Sequence, residues 1–376
     1  MSVKTVIGAV TVLLGLTALA EPGLSVPRYA ARYGQRCTLC HVDPSGGGQR
    51  TLYAVQYIVP MELSLQRLTA EEIAGIDPVL GKNLTVGLDL RTIYHASDPP
   101  RPGIDNFLQM QSAFYLSFDF ARRFSAHVNR SQSGTLDVFG LAHVLPLDGH
   151  LRVGRFTPAY GWRFADHTVY TRELLGWFAQ GRTDVGLEAA VNPGRFTFSA
   201  ALTNGSRGAA ADADERLAVT GQGIVRANWR ELGAGLGGSI WSNHSATGER
   251  FDRGPFGYLT FGPATWLGEA AWSTNDPPGP GSERTSWVAS QELSWRVLQG
   301  FDLRATYDFF DPDLDRESGT RDRIAAGLDL LPYPFLNLQT MVRRERYEGA
   351  PRGAPSAPEA VGDDTTWFEL QVHLLY

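Results

Sequence analysis

Cys37, Cys40 and His41 stand together in RCTLCHVDPSGGGQR, and the 376-residue chain has no other cysteine. Cys-x-x-Cys-His is the covalent attachment signature of c-type haem. Two thiols one helical turn apart can each add to one vinyl group of the same macrocycle. The histidine after the second cysteine then supplies the proximal nitrogen to the iron. A disulfide, a thiol redox pair and half of a zinc site are the other chemistries open to such a pair. A structural zinc site takes four ligands, and no second Cys or His pair lies nearby in the sequence. A redox pair has no need of His41. The expectation is one covalent haem c on Cys37 and Cys40, with His41 on the iron.

The second axial ligand is expected by elimination. Within residues 21–82 the only other Met or His is Met61, in VPMEL. Methionine opposite histidine is common in cytochromes c and raises the potential. Met110 shares strand parity with Leu108, Phe114, Leu116 and Phe118, an outward apolar face. His95, His127, His143, His373 and Met341 have inward parity; a lumen histidine, or an open or water-bound position, is the alternative to Met61.

Haem is attached outside the cytoplasm, so the chain must be exported. Residues 1–20 read as a signal peptide: Lys4, then the uncharged VIGAVTVLLGLTALA, with Ala18-Leu19-Ala20 as cleavage signal. A net charge of -6 points to no nucleic-acid partner. The 41 glycines argue against a helical protein.

From Asn83 to Tyr376 the hydrophobic period is two. Phe368, Leu370, Val372, Leu374 and Tyr376 alternate with Glu369, Gln371 and His373. NLTVGLDL, FDLRATYDF and FLNLQTMV read the same way. Sixteen such strands can be marked from the sequence. Tight links (ARR, PLDGH, NPG, REL, GP, LQG, LPYP) alternate with long ones, near 157–180, 204–218, 275–283, 310–320 and 346–363. Outer-membrane barrels have this asymmetry. The opposite face carries Asp89, Arg226, Arg230, Glu269, Glu292, Arg296, Asp302, Arg304, Asp329 and Arg343, too many charges for a dry core. The expectation is an all-β fold: a sixteen-stranded antiparallel transmembrane barrel over 83–376, in a bacterial outer membrane and in contact with its lipid.

Residues 21–82 lack this alternation and read as a small α-helical N-terminal plug. RYAARYGQRCTLCH reads as a short helix. LYAVQYIVPMEL is an apolar run broken at Pro60. Thr69-Ala70-Glu71-Glu72 is a capping box opening TAEEIAGI. A unit of this size shields a haem poorly by itself, so barrel walls are expected to help.

VPRYAARYGQRCTLCH, a short plug and a barrel of about sixteen strands together resemble the fused outer-membrane cytochrome–porins of iron-oxidising bacteria. The resemblance implies a single haem held by Cys37, Cys40 and His41. It implies an electron donor or acceptor at the cell surface, ferrous iron among them, and periplasmic cytochromes or other redox carriers on the inner side. GRFTPAYGWRFADHTVYTR (154–172) is similar to a segment of polyanion-type porins and reads as a folded-in constriction loop. DPDLDRESGTRD begins like a calcium loop, but Arg316 stands where the turn glycine belongs, and it reads as a solvated acidic loop. No residue set points to hydrolysis or group transfer. Electron transfer across the outer membrane is the leading reading. A passive porin with a periplasm-facing tethered cytochrome is the alternative, and a thiol-redox barrel without haem is a third.

Overall fold

The computed structural model describes residues 27–100, 105–132, 136–177, 183–206, 214–245, 248–277, 283–316, 319–348 and 364–376. The expected signal peptide and Glu317 of the acidic loop lie outside them.

Sixteen antiparallel strands close into a barrel: β2 (Leu84–Asp98), β3 (Phe107–Ala121), β4 (Phe124–Ser131), β5 (Leu136–Leu145), β6 (Gly149–Phe156), β7 (Asp184–Val191), β8 (Phe196–Thr203), β9 (Ala218–Trp229), β10 (Leu232–Ser245), β11 (Gly248–Phe261), β12 (Ala264–Asp276), β13 (Arg284–Leu298), β14 (Phe301–Asp311), β15 (Thr320–Tyr333), β16 (Leu336–Glu348) and β17 (Thr365–Leu375). Each pairs with its neighbour in sequence, and β17 closes on β2 from Thr366↔Asp98 to Leu375↔Asp89. The two-residue β1 (Val79–Leu80) pairs with the start of β2. Closure leaves no free edge, the requirement for a sheet in lipid. The barrel belongs to a bacterial outer membrane.

The two faces follow the alternation. Leu303 and Tyr307 point outward, 42% and 41% exposed, while the alternating Asp302, Arg304, Thr306 and Asp308 are buried. Exposed Phe118, Phe120, Phe124, Phe196, Phe198, Trp229, Phe261, Trp295, Tyr333, Phe335 and Tyr376 lie beside the tight turns and the C-terminal end of β17. They form an aromatic girdle, which marks a membrane interface. Short turns of such barrels face the periplasm.

Two sequence readings of the wall need correction. Arg230 lies exposed in the β9–β10 turn at φ +54°, not on the inner face. Gln111 pairs with Arg91 and Gln109 with Thr92, leaving Met110 in a bulge. Parity does not run through a bulge. Beyond it Phe107, against Tyr94, continues the outward face, and Leu108 opposes Ile93.

Two segments fill the lumen. One is the N-terminal unit, at the tight-turn end. Its helix α1 (Pro27–Tyr33) is shorter than the sequence implied, and the apolar run does not break at Pro60. That run is a π-helix, Ala54–Leu63, closed by Ser64 N–H donating to Val59 O at 2.9 Å. A wider π turn gives the proline ring room that an α-helix denies it. The capping box opens α2 (Ala70–Ala74) as expected. The other segment is the β6–β7 connection, which folds inward with α3 (Tyr170–Glu173) and buries Tyr160, Trp162, Phe164 and Tyr170.

Candidate functional site

The cysteine pair sits on a tight local frame. Helix α1 stops at Gly34 (φ +67°), where a Cβ would lie 2.0 Å from Asn228 Nδ2. Cys37–Leu39 then form a 3-10 turn, and the N–H groups of Cys40 and His41 both donate to Cys37 O, at 3.1 and 2.9 Å. His41 bridges antiparallel to Arg50, and Val42 N–H donates to Gln49 O at 3.0 Å. The loop between them turns on Asp43, whose Oδ1 accepts from Ser45 N–H (2.9 Å) and Ser45 Oγ (2.6 Å). Gly46, Gly47 and Gly48 all have positive φ (+90°, +73°, +65°), and a Cβ on Gly46 would lie 3.2 Å from Cys37 Sγ. Only glycine takes such a run without strain. The SGGG stretch therefore folds the loop back over the cysteine.

Ion pairs lock this loop to the barrel. Asp43 accepts from Arg152 of β6 at 2.7 Å and from Arg163 of the inward loop at 3.0 Å. Arg152 is fully buried and also pairs with Glu188 at 2.8 Å. Burial alone would raise the Asp43 pKa. Arg152, Arg163 and the Ser45 hydrogen bonds outweigh it and hold the carboxyl down at about 2. Gln49 hydrogen-bonds Ser117 of β3. On α1, Arg28 meets Asp329 and, at 3.6 Å, Glu292, while Arg32 meets Asp302 at 3.3 Å. Of the charges that looked like a wet lumen, Glu292, Asp302 and Asp329 hold the plug, Glu269 and Arg343 hold the inward loop, and Arg304 pairs with Glu292, as buried charges must be paired.

Two cavities flank His41. The larger has a volume of about 210 Å³ and opens to solvent. It is lined by Cys40, His41 and Arg50 of the plug, Asp89, Arg91, Tyr115 and His373 of the wall, and Arg163, His167, Arg172 and Trp177 of the inward loop. The smaller, about 80 Å³, is lined by Cys37, His41 and Gly46 together with His150, Trp162, Glu188 and Arg226. The two thiols are not joined in a disulfide. Among the described residues no group of three or more His, Cys, Asp or Glu is arranged to hold a metal ion.

Burial, with Arg50 and Arg163 nearby, pushes the His41 imidazole down to about 4, so the ring is neutral at pH 7. Its Nδ1 is buried and, among the described residues, has no hydrogen-bond partner. Arg50 donates to Pro334 O at 3.1 Å, and Arg172 donates to Tyr160 O at 3.1 Å and Trp177 O at 3.5 Å. Among the described residues neither guanidinium has a carboxylate within ion-pair distance. Nothing in its spacing flagged Arg50; Arg172 stood out only as a charge of the 154–172 segment, and both acquire their place through the fold.

Cys37, Cys40 and His41 come together as expected; Met61 does not join them. It lines neither cavity, and its carbonyl accepts from Gln299 Nε2 at 3.1 Å beside the β13–β14 turn. The inward histidines are mostly engaged. His127 is hydrogen-bonded at both ring nitrogens, by Ser117 and Ser125, each at 2.7 Å. His95 Nδ1 meets Asp105 at 3.1 Å, and His373 Nε2 meets Asp89 at 2.8 Å. His143 is exposed near His150, and Met341 is buried but lines neither cavity.

These features define an outer-membrane barrel of porin architecture. No protein-family model matches the sequence, and no curated protein is similar to it. Solved porins and channels share the fold. The anion-selective porin of Comamonas acidovorans aligns with TM-score 0.56 and 12% identity over 78% of this chain and 99% of its own. OmpT of Vibrio cholerae gives 0.55 and 10% over 80% and 100%. OprB of Pseudomonas putida gives 0.55 and 8% over 82% and 96%.

Proposed function

We propose that this porin-fold barrel carries one covalent haem c beside its plug and passes electrons across the outer membrane. The observation that carries the reading is the Cys37-x-x-Cys40-His41 turn, seated inside the barrel with each cysteine opening on a cavity that His41 also borders. The residues fit the group. Cys37 and Cys40 would hold it and neutral His41 would ligate the iron. Arg50 and Arg172, which lack carboxylates among the described residues, would face the two propionates. When bound, such a group supplies one-electron transfer at a potential set by its axial ligands and surroundings. The chain supplies the rest: Asp43, Arg152 and Arg163 fix the attachment loop, while Trp177, Tyr115 and the plug exclude water. Redox partners on the two sides, with ferrous iron as one candidate donor, belong to the same proposal.

Protein made with a cytochrome c maturation system should keep haem through denaturing electrophoresis. The Cys37→Ser, Cys40→Ser double variant should lose it. Unchanged haem staining in that variant refutes the assignment. A second reading, a passive porin with a periplasm-facing cytochrome, is favoured by the porin and channel neighbours. On intact cells, reduction of the haem by an insoluble or membrane-impermeant surface donor supports the first reading. Small-solute flux through reconstituted barrels, with no surface reduction, supports the second.

A further inference from the structure

We infer that His167, carried inward by the β6–β7 loop, is the second axial ligand of the iron; this rests on the haem reading above. His167 lines the larger cavity with Cys40 and His41, and Met61 does not.

The loop holds His167 firmly and leaves its ring unused. On one side Arg163 grips Asp43 and Ser45 of the attachment loop, at 3.0 and 3.1 Å, and Ala165 O accepts from Arg91 at 2.9 Å. On the other, Asp166 pairs with Arg343 at 2.6 Å and accepts from Thr168 N–H and Oγ1 at 2.9 and 2.8 Å. Arg323 donates to Thr168 O. Among the described residues the His167 ring itself makes no hydrogen bond. His373, which lines the same cavity, is bonded through Nε2 to Asp89 and approached by Arg91 at 3.3 Å.

A ligand must offer a free lone pair from a fixed position, since loose ligands are lost to water. His167 meets that condition; His127 spends both ring nitrogens, His95 does not line the cavity, and His373, bonded only through Nε2, is the competing ligand that the variants below separate. Ligation adds an Fe–N bond through a neutral imidazole and moves no electron.

The test uses purified full-length holoprotein in detergent, with visible absorption and electron paramagnetic resonance. Wild type should be six-coordinate and low-spin without the methionine–iron band in the red. His167→Ala should become high-spin and return to low-spin on adding imidazole, while covalent haem persists. His167→Met should gain the methionine band and a higher midpoint potential. Met61→Ala and His373→Ala should stay as wild type. Heat-modifiable gel mobility confirms a folded barrel in each variant. A low-spin His167→Ala, or a methionine band that Met61→Ala removes, overturns the inference and leaves the haem reading standing. Wild type with no covalent haem overturns both, the haem reading first.

Discussion

Asp43→Asn should loosen the attachment loop from the barrel. Asp43 is 8% exposed and balances two guanidiniums, Arg152 and Arg163. Removing one member of a buried ion pair costs about 3–5 kcal/mol. Two details place this case at the low end. Arg152 keeps Glu188 at 2.8 Å, and the Arg163 side chain is 23% exposed, so cavity water can reach it. Asparagine also retains an acceptor for Ser45. The expected loss is about 3 kcal/mol, or roughly a hundredfold in the docking equilibrium, at about 1.4 kcal/mol per factor of ten. Amide hydrogen exchange of peptides spanning residues 37–51, followed by mass spectrometry at pH 7, reads this directly. Exchange by local opening should accelerate by about that factor while β13–β16 stay protected. A change no greater than about twofold, that of an ordinary surface substitution, refutes the clamp. The pH dependence has a fixed sign. A carboxyl held down at about 2, against 3.8 when free, stabilises docking fully above about pH 4. That contribution fades as pH falls through about 2, and in Asp43→Asn this acid-dependent component should be missing.

Gly46→Ala places a side chain at φ +90° and 3.2 Å from Cys37 Sγ. It should cost about 1–3 kcal/mol and speed maleimide labelling of Cys37 in haem-free protein. An epitope tag at Asp315 should be reached by antibody on intact cells, whereas tags at Pro193 and Gln299, in tight turns, should be reached only after the outer membrane is opened. Leu236→Arg, outward in mid-strand at 57% exposure, should lower barrel stability in lipid by about 2–4 kcal/mol; Phe261→Arg, beside the β11–β12 turn, should lower it by about 0–1. Urea unfolding in liposomes distinguishes the two, and equal effects would mean the girdle is misplaced.

The barrel was legible because its physics is local. A side-chain period of two and alternating link lengths mark each strand separately, and strands meeting neighbours in sequence need no long-range information. The expected strand starts near 83, 194, 264 and 364 lie within about two residues of those observed, since turns such as Gly262-Pro263 punctuate the pattern, whereas those expected near 222 and 254 fall inside β9 and β11. Parity could not place Met110, because one bulged residue resets it, and nothing in the apolar pattern signals a bulge. The Cys-x-x-Cys-His element was equally legible, since its chemistry needs residues adjacent in the chain. Its surroundings were not. Asp43 meets Arg152 and Arg163 across 109 and 120 residues, and His167 and Arg172 reach the His41 cavity only because a long loop turns inward. Elimination along the sequence favoured Met61, which is 20 positions from His41, yet the π-helix leaves it beside the β13–β14 turn and away from that cavity. Strands and an attachment motif follow from short-range spacing, which the sequence states by itself. Which charges pair and which side chains share a cavity depend on how plug and loop pack into one lumen, and only the tertiary structure decides that.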